Sequence, residues 1–500
     1  MSRSPGMAAD EGGAGWGARD FVAMAVVAAT GGLMRLIRVG DPSRLVFDEV
    51  YYAKDACRYV NVSSALCGTD IEQTAVHPPL GKWLIAAGIR VAGYHSLGWR
   101  LAAVIAGTLS IALLYVLARQ LLNSTVAATF ASALLAFDFL HFVQSRVAML
   151  DIFAALFGLA AFTALAFDRD ALLRVPAAVK GAGRRPWRVA AGVAAGAATA
   201  SKWSGALVAL AVLLLSLTWE VAVRRRDGEG DPLRRALRNE GGSLLLWLVV
   251  LPAAVYVASY TGRLDGSWSV APWAEGAWPR VFVERQIYMA DFHFDLAATH
   301  SYQSPPWSWM LLKRPVAYHF TTAPNGDYKE IFAAGSPLVW WSSIVALTWV
   351  ATIWALRRDP WNPAGFIFGG FVLTYGPWLA LLSGRPAAFL FYLLPAVPFM
   401  CLALAYPLAI PSRARLRRAV TILFAAGAVG LFAFYYPLLA NVGIPIDDYQ
   451  NRLWIFTDCA KPEGVPDTST STVTTGGTTR LSTEVTNSSD DLPPTGWCWR

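Results

Sequence analysis

Charge is scarce in this sequence. Asp, Glu, Lys and Arg make up 15% of its 500 residues, against 55% hydrophobic, whereas a soluble globular chain carries about a quarter charged residues. That shortage excludes a soluble protein and leaves an integral membrane one. Cysteine is also sparse, five in all, and no spacing among them resembles a zinc site. Histidine numbers six, and no metal site is predicted, although a divalent cation at Asp48 or Asp151 is compatible with the residues. No repeat of about 20–50 residues recurs, which removes the related halves expected of many transporters. The first nineteen residues lack the compact apolar core and small-residue site of a cleaved signal. They read as a short cytoplasmic tail before an uncleaved first helix.

What the chain has in abundance is apolar runs of membrane-spanning length, for which about 20 residues are needed. Eleven candidates occur, at 21–39, 98–118, 124–142, 148–167, 189–201, 204–222, 243–261, 337–356, 364–382, 387–409 and 419–438. Only Lys202-Trp203 separates the short fifth from the sixth. Merging them would put the basic runs at 169–188 and 224–238 on opposite faces. Kept apart, those runs share one face with Arg357-Arg358 and with Arg413, Arg415, Arg417 and Arg418, as the concentration of basic residues in cytoplasmic loops requires. The expected fold is an all-α polytopic membrane protein with about 11 transmembrane helices, N-terminus cytoplasmic and C-terminus extracytoplasmic. Its expected parts are the tail 1–19, a transmembrane catalytic module 20–261, a large outer loop 262–336, a second transmembrane module 337–438 and an outer tail 439–500. The net charge of +8 then reflects topology signals beside an anionic leaflet and not a nucleic-acid surface.

Within the outer segment 40–97, residues 82–96 are apolar but too short to span, and are expected to lie along the interface. Cys57 and Cys67 share this segment, and Cys459 and Cys498 share the C-terminal tail. Even numbers in each suit disulfides in an oxidising compartment, with free thiols as the alternative. The stretch 466–490 is rich in Ser and Thr and too poor in apolar residues to bury a core.

Ionisable residues at the outer helix ends are costly and therefore candidates for function. They are the adjacent pair Asp48 and Glu49, then Arg100, Arg146, Asp151, Lys202 and Arg385. Each has a plain alternative: a solvated acidic loop for the Asp48 and Glu49 pair, and a snorkelling cation, a local ion pair or a helix cap for the others. Together they set several cations and a carboxylate pair on one face, which suits a negatively charged headgroup meeting a base. The aromatic residues of 262–336, Trp307 among them, form either an interface belt or a wall on which sugar rings stack.

Taken in order, several motifs resemble the protein O-mannosyltransferase family over roughly residues 20–458. They are Phe47-Asp48-Glu49, His77-Pro78-Pro79-Leu80-Gly81-Lys82, Gly98-Trp99-Arg100, Ala148-Met149-Leu150-Asp151 and Ala200-Ser201-Lys202-Trp203-Ser204-Gly205. Further on come Ser304-Pro305-Pro306-Trp307-Ser308-Trp309, Gly335-Ser336-Pro337, and Arg385-Pro386 with Phe391-Tyr392. The resemblance implies a GT-C type membrane glycosyltransferase that takes mannose from a polyprenyl phosphate on the outer leaflet of the cell membrane. The acceptors would be Ser or Thr hydroxyls of polypeptides emerging from the Sec translocon. It further implies a bacterial, actinobacterial-type member, because 262–336 is too short for the β-trefoil domain that eukaryotic relatives carry there.

A Ser or Thr hydroxyl is a weak nucleophile and needs a general base. By resemblance that base is Asp48, ionised at neutral pH if near its ordinary value, with Glu49 orienting the loop or touching acceptor or sugar. The departing phosphate needs cations, for which Arg100, Arg146, Lys202 and Arg385 are candidates. Attack opposite the phosphate inverts the anomeric carbon, as in inverting glycosidases. His77, Pro78 and Pro79 shape the loop, Asp151 supports a cation, and Tyr392 and Trp307 support the site. No cofactor beyond the lipid-linked donor is required by this chemistry. Two other readings stay open: transfer of a different lipid-linked sugar to a lipid or glycan, and a transporter or flippase.

Overall fold

The computed structural model describes residues 15–60, 67, 76–174, 185–260, 278–296, 300, 302–381, 384–385, 387–410 and 414–453. Cys459, Cys498 and the Ser/Thr-rich stretch lie outside the described residues. The first half runs through helices α1 (Ala18–Leu36), α2 (Glu49–Tyr59), α3 (Leu80–Ala92), α4 (Ser96–Leu122), α5 (Thr125–Ala136), α6 (Phe139–Gln144), α7 (Asp151–Arg174), α8 (Pro186–Ser201), α9 (Gly205–Arg226) and α10 (Pro232–Ala258). The second half holds α11 (Trp278–Phe294), strands β1 (Val316–Thr322) and β2 (Tyr328–Ala333), then α12 (Pro337–Arg357), α13 (Pro363–Ala380), α14 (Leu390–Ala409), α15 (Ala414–Leu439) and α16 (Ile446–Arg452).

Seven of these, α4, α7, α9, α10, α12, α14 and α15, are long and apolar enough to cross a membrane. Each of the other segments expected to span is also helical, but shorter or less apolar. The expected span 124–142 is divided at Phe137-Asp138, where Asp138 leaves the helix to cap α6 through the His141 amide. Between α8 and α9 the chain does break, because Lys202 is extended (φ −155°, ψ 139°). In α10 a π-helical turn at Leu246–Val250 precedes Pro252, which has no N–H to donate and whose ring crowds the carbonyl four residues back. In α14 the 3₁₀ turns at Leu390–Ala396 and Tyr406–Ala409 coincide with Pro395 and Pro407 for the same reason.

The fold is not purely helical, which corrects the all-α expectation. β1 and β2 pair antiparallel within the expected outer loop, with an irregularity between Ala317 and His319. The sequence carries the reason: β-branched and aromatic residues flank Pro324-Asn325-Gly326-Asp327, a strong turn signal, and Gly326 takes φ +88°. Ile444 then pairs with Tyr328 as an isolated bridge, binding the end of α15 to the hairpin.

Buried ionic and polar pairs tie elements far apart in sequence. Asp138 accepts from the Trp340 indole at 2.8 Å, joining α6 to α12. Lys82 on α3 meets Asp55 on α2 at 2.7 Å, both nearly fully buried. Cys57 and Cys67 form a disulfide, and Cys401 is a buried free thiol. Gly81 in the His77–Lys82 motif lets α3 sit against the start of α7; an added Cβ would come within 2.7 Å of Leu150.

Candidate active site

The chain enters α2 through an unusual turn. Phe47 takes φ 46°, a conformation that a bulky side chain adopts only where its surroundings enforce it. Here they do. Its ring stacks on Tyr318 of β1 at 4.6 Å and meets Phe391, Phe389 and His300 edge-on. Asp48 follows at the helix start, but its carboxylate does not cap the helix and so remains available to the site.

Asp48 is half-buried and accepts a hydrogen bond from the Tyr52 hydroxyl at 3.3 Å. Burial pushes its carboxyl up to about 6; the positive charge of Lys202 and the Tyr52 hydrogen bond lower it, while the negative charge of Asp151 raises it. Lys202 sits in the break between α8 and α9 and donates to both oxygens of Asp151 at 2.8 and 2.9 Å. Its ammonium also lies 4.4 Å from the Tyr392 ring centroid, a cation–π contact. Tyr392 in turn packs against Trp378 and Trp309. These contacts join the starts of α2 and α7 to the end of α8 and the start of α14.

Glu49 behaves differently from its neighbour. It is fully buried and accepts from Arg100 Nε and Nη2, both at 2.8 Å, from the Val46 amide at 3.0 Å and from the Ala148 amide at 2.9 Å. Arg100 spends its remaining donors on the carbonyls of Val39, Pro42 and Arg44, so all five of its N–H groups are engaged. Arg146 donates to the carbonyls of Met34, Arg35 and Ile37, closing the exposed end of α1. Of the two arginines expected at the donor phosphate, Arg100 is thus engaged by Glu49 and main chain, and Arg146 by main chain through Nη1. Trp307 also departs from expectation: it is 55% exposed, paired with Lys313, and it is Trp309 that packs into the aromatic cluster.

A second group gathers beside the first. His77 follows Val76 at the mouth of α3, and its Nδ1 is buried with no hydrogen-bond partner. Burial, then the cations Lys202, Lys82 and Arg385, hold its imidazole well below the usual range. Pro78 and Pro79 are buried, with Pro79 directly preceding α3. Arg385 donates to His293 Nδ1 at 2.9 Å, and its own Nε is buried without a partner. Among the described residues, no three His, Cys, Asp or Glu side chains come together as a metal-binding group.

An apolar groove of about 580 Å³ opens next to these groups. Leu210 and Leu213 of α9, and Leu248 and Val249 of α10, line it, and it ends at Trp203 and Tyr256. The Trp203 indole lies 5.8 Å from the His293 ring and donates to the Tyr256 hydroxyl at 2.8 Å. Polar groups that favour an anion thus adjoin a surface that favours a hydrocarbon chain.

Sequence reasoning singled out Asp48, Lys202, Asp151, Arg385, His77 and Tyr392, and the fold brings these together. It missed Tyr52, Tyr318 and the role of His293. Tyr52 had a signal, since it lies four residues after Asp48 on a helix. Tyr318 and His293 had none beyond residue type.

Two family models match the chain: dolichyl-phosphate-mannose-protein mannosyltransferase over residues 25–263, and the C-terminal four-transmembrane region of protein O-mannosyltransferase over 279–458. Among curated proteins, the polyprenol-phosphate-mannose–protein mannosyltransferase of Mycolicibacterium smegmatis is 28% identical, covering 88% of this chain and 93% of the relative. That of Mycobacterium tuberculosis is 29% identical, covering 87% and 91%. Among solved structures, the S. cerevisiae Pmt1-Pmt2 complex bound to its sugar donor superposes with a TM-score of 0.69 at 15% identity, covering 88% of this chain and 93% of that one. ArnT from Cupriavidus metallidurans bound to undecaprenyl phosphate gives 0.53 at 18% identity, covering 88% and 70%. At these identities the solved structures speak for a shared GT-C fold.

Proposed function

Because the chain belongs to the protein O-mannosyltransferase family, we propose that it transfers mannose from polyprenyl phosphate mannose to Ser or Thr hydroxyls of exported polypeptides. The observation that carries this reading is Asp48. Among the described residues it has no ion pair of its own, it lies within the electrostatic reach of the Lys202–Asp151 pair, and Trp203, which follows Lys202 in the chain, lines an apolar groove. A half-buried carboxyl raised to about 6 is a better base near neutrality than an ordinary Asp, while remaining mostly ionised at pH 7.

In this mechanism the isoprenoid lies in the groove between α9 and α10, and Lys202 and Arg385 meet the phosphate. Asp151 fixes the Lys202 ammonium, and the Tyr392 ring supports it through the cation–π contact. The acceptor hydroxyl approaches Asp48, which takes its proton as the oxygen attacks the anomeric carbon. The phosphate leaves on the opposite side with its charge met by the cations, so the centre inverts. Glu49 and Arg100 act as a rigid anchor that sets the Phe47–Asp48 turn. His77, Pro78 and Pro79 close the site from the side of α3. Eleven spans, with the N-terminus inside and residues 40–97 and 262–336 outside the cell membrane, would present this site to chains leaving the Sec channel. The module boundaries 20–261 and 337–438 belong to the same proposal.

A membrane transfer assay tests it, with labelled polyprenyl phosphate mannose, a Thr-rich peptide, and the native chain beside Asp48→Asn. Label on the peptide from the native chain, reduced about 10²–10⁴-fold in the variant, is the expected result. Equal labelling by both would remove Asp48 from the chemistry. Absence of label from an intact native chain would favour a different lipid-linked sugar or a glycan acceptor.

A further inference from the structure

Of the two cations facing the proposed phosphate position, Lys202 is fixed by a carboxylate and Arg385 is not. The polar side chain that meets the Arg385 guanidinium is an imidazole. Arg385 Nη2 lies 2.9 Å from His293 Nδ1, and His293 Nε2 lies 2.8 Å from the Val76 carbonyl oxygen. A carbonyl can only accept, so the proton sits on Nε2, and the Nδ1 lone pair receives the guanidinium. The ring is also wedged between His77 at 5.2 Å and Trp203 at 5.8 Å. His293 therefore joins four separate pieces of chain: α11, the turn before α3, the loop before α14 and, through Trp203, the break before α9.

The choice of imidazole has a chemical consequence. A carboxylate at this position would neutralise Arg385 and compete with an incoming phosphate. A neutral imidazole orients the guanidinium without reducing its charge. Burial and the charge of Arg385 hold His293 down to about 4, so this neutral form persists throughout the working range.

We propose that His293 is a positioning residue that holds Arg385, still fully charged, with its free N–H groups toward the donor phosphate. The inference rests on the assignment of Arg385 to that phosphate. It gives the outer helix α11 a part in donor recognition, through a bond that spans 92 residues of sequence.

The test is steady-state kinetics of the full-length chain in detergent, with donor and acceptor titrated separately, for Arg385→Ala, His293→Ala, their double variant and His293→Gln. Arg385→Ala is expected to raise the donor KM about 10–100-fold, and His293→Ala about 5–30-fold, with the acceptor KM unchanged. The double variant should be no worse than Arg385→Ala alone, because His293 acts through Arg385. His293→Gln should recover most of the loss, since a carboxamide can donate to Val76 and accept from Arg385 at once. His293→Leu, which fills the same space without either bond, should behave as His293→Ala and guards against collapse of the packing. Multiplicative effects in the double variant, or a donor KM unmoved by His293→Ala and His293→Leu while Arg385→Ala raises it, would overturn the inference. A donor KM unmoved by Arg385→Ala would instead overturn the assignment of Arg385 itself.

Discussion

Helices α7 and α8 carry a buried ionic cluster at each end, and the two clusters are built on different terms. At one end are Asp151, Lys202, Asp48 and Arg385. At the other, about 26 Å along α7, Asp168, Glu220 and Glu240 meet Arg185, Arg188 and Arg224. There, three acids face three guanidinium groups. Arg188 reaches Glu220 at 2.6 Å and Glu240 at 2.7 Å, Arg185 reaches Asp168 at 2.6 Å, and Arg224 reaches Glu220 at 2.7 Å. Every carboxylate has a cation. At the first end only Asp151 and Lys202 form such a pair. Asp48 has a tyrosine hydroxyl, Arg385 has an imidazole, and His77 leaves a buried nitrogen unpartnered. Buried nitrogens without a hydrogen bond occur at both ends, Arg188 Nε and Arg224 Nε at one and His77 Nδ1 and Arg385 Nε at the other, so the difference lies in the ion pairing. A carboxylate and a cation without an ionic partner are costly to hold, and on the proposed reading their partners come with the substrates. The ion-paired cluster binds four helices together; the other is the one proposed for chemistry.

The contrast can be broken by substitution, beginning with the largest expected effect. Asp48→Asn should lower transfer by about 10²–10⁴-fold and leave thermal unfolding nearly where it was, because no cation loses its partner. Glu220→Ala should do the reverse. It strands Arg224 and leaves Arg188 with Glu240 alone at close range, at a cost of about 3–5 kcal/mol, and the denaturation midpoint in detergent reports it.

The acid limb of the rate sharpens the comparison further. Asp48 must be ionised to accept a proton, and burial raises its carboxyl to about 6. The donor kcat/KM should therefore fall about tenfold per pH unit below that value. A limb near 4 would mean that Asp48 is not held in this environment.

The smallest effect concerns an acid outside both clusters. Glu330 on β2 is 1% exposed, and burial pushes it up to about 8, with the Tyr449 hydroxyl opposing that shift. Its folded value lies above the unfolded one of 4.5, so the folded state prefers the neutral form. Stability should decline as pH rises from about 4.5 to 8. Glu330→Gln should then gain about 1–3 kcal/mol at pH 8 and almost nothing at pH 4, as seen in unfolding midpoints taken across that range.

Much of the fold was legible because apolar length and the side preference of Arg and Lys are local properties. The separation of α8 from α9 at Lys202 followed from charge alone. The hairpin was legible too, in Pro324-Asn325-Gly326-Asp327, but a reading tuned to membrane-length runs passed over it. Within the candidate site, residue types singled out side chains that the fold gathers and not how their contacts are divided. Asp48 and Glu49 are adjacent in sequence, yet one meets only the Tyr52 hydroxyl and the other is consumed by Arg100, 51 residues away. Arg100 and Arg146 looked like phosphate ligands because their acceptors are largely main-chain carbonyls, which leave no mark in a sequence. His293 was hidden for a related reason: its partners are a carbonyl 217 residues earlier and an arginine 92 residues later.

The most direct test of the contrast pairs Asp48→Asn with Glu220→Gln, measuring the thermal midpoint and the turnover per folded molecule for both in one detergent preparation. The account predicts a native midpoint with lost turnover for Asp48→Asn, and a lowered midpoint with native turnover for Glu220→Gln. Turnover lost in Glu220→Gln at an unchanged midpoint, or retained in a correctly folded Asp48→Asn, would contradict the division between an end that reacts and an end that holds.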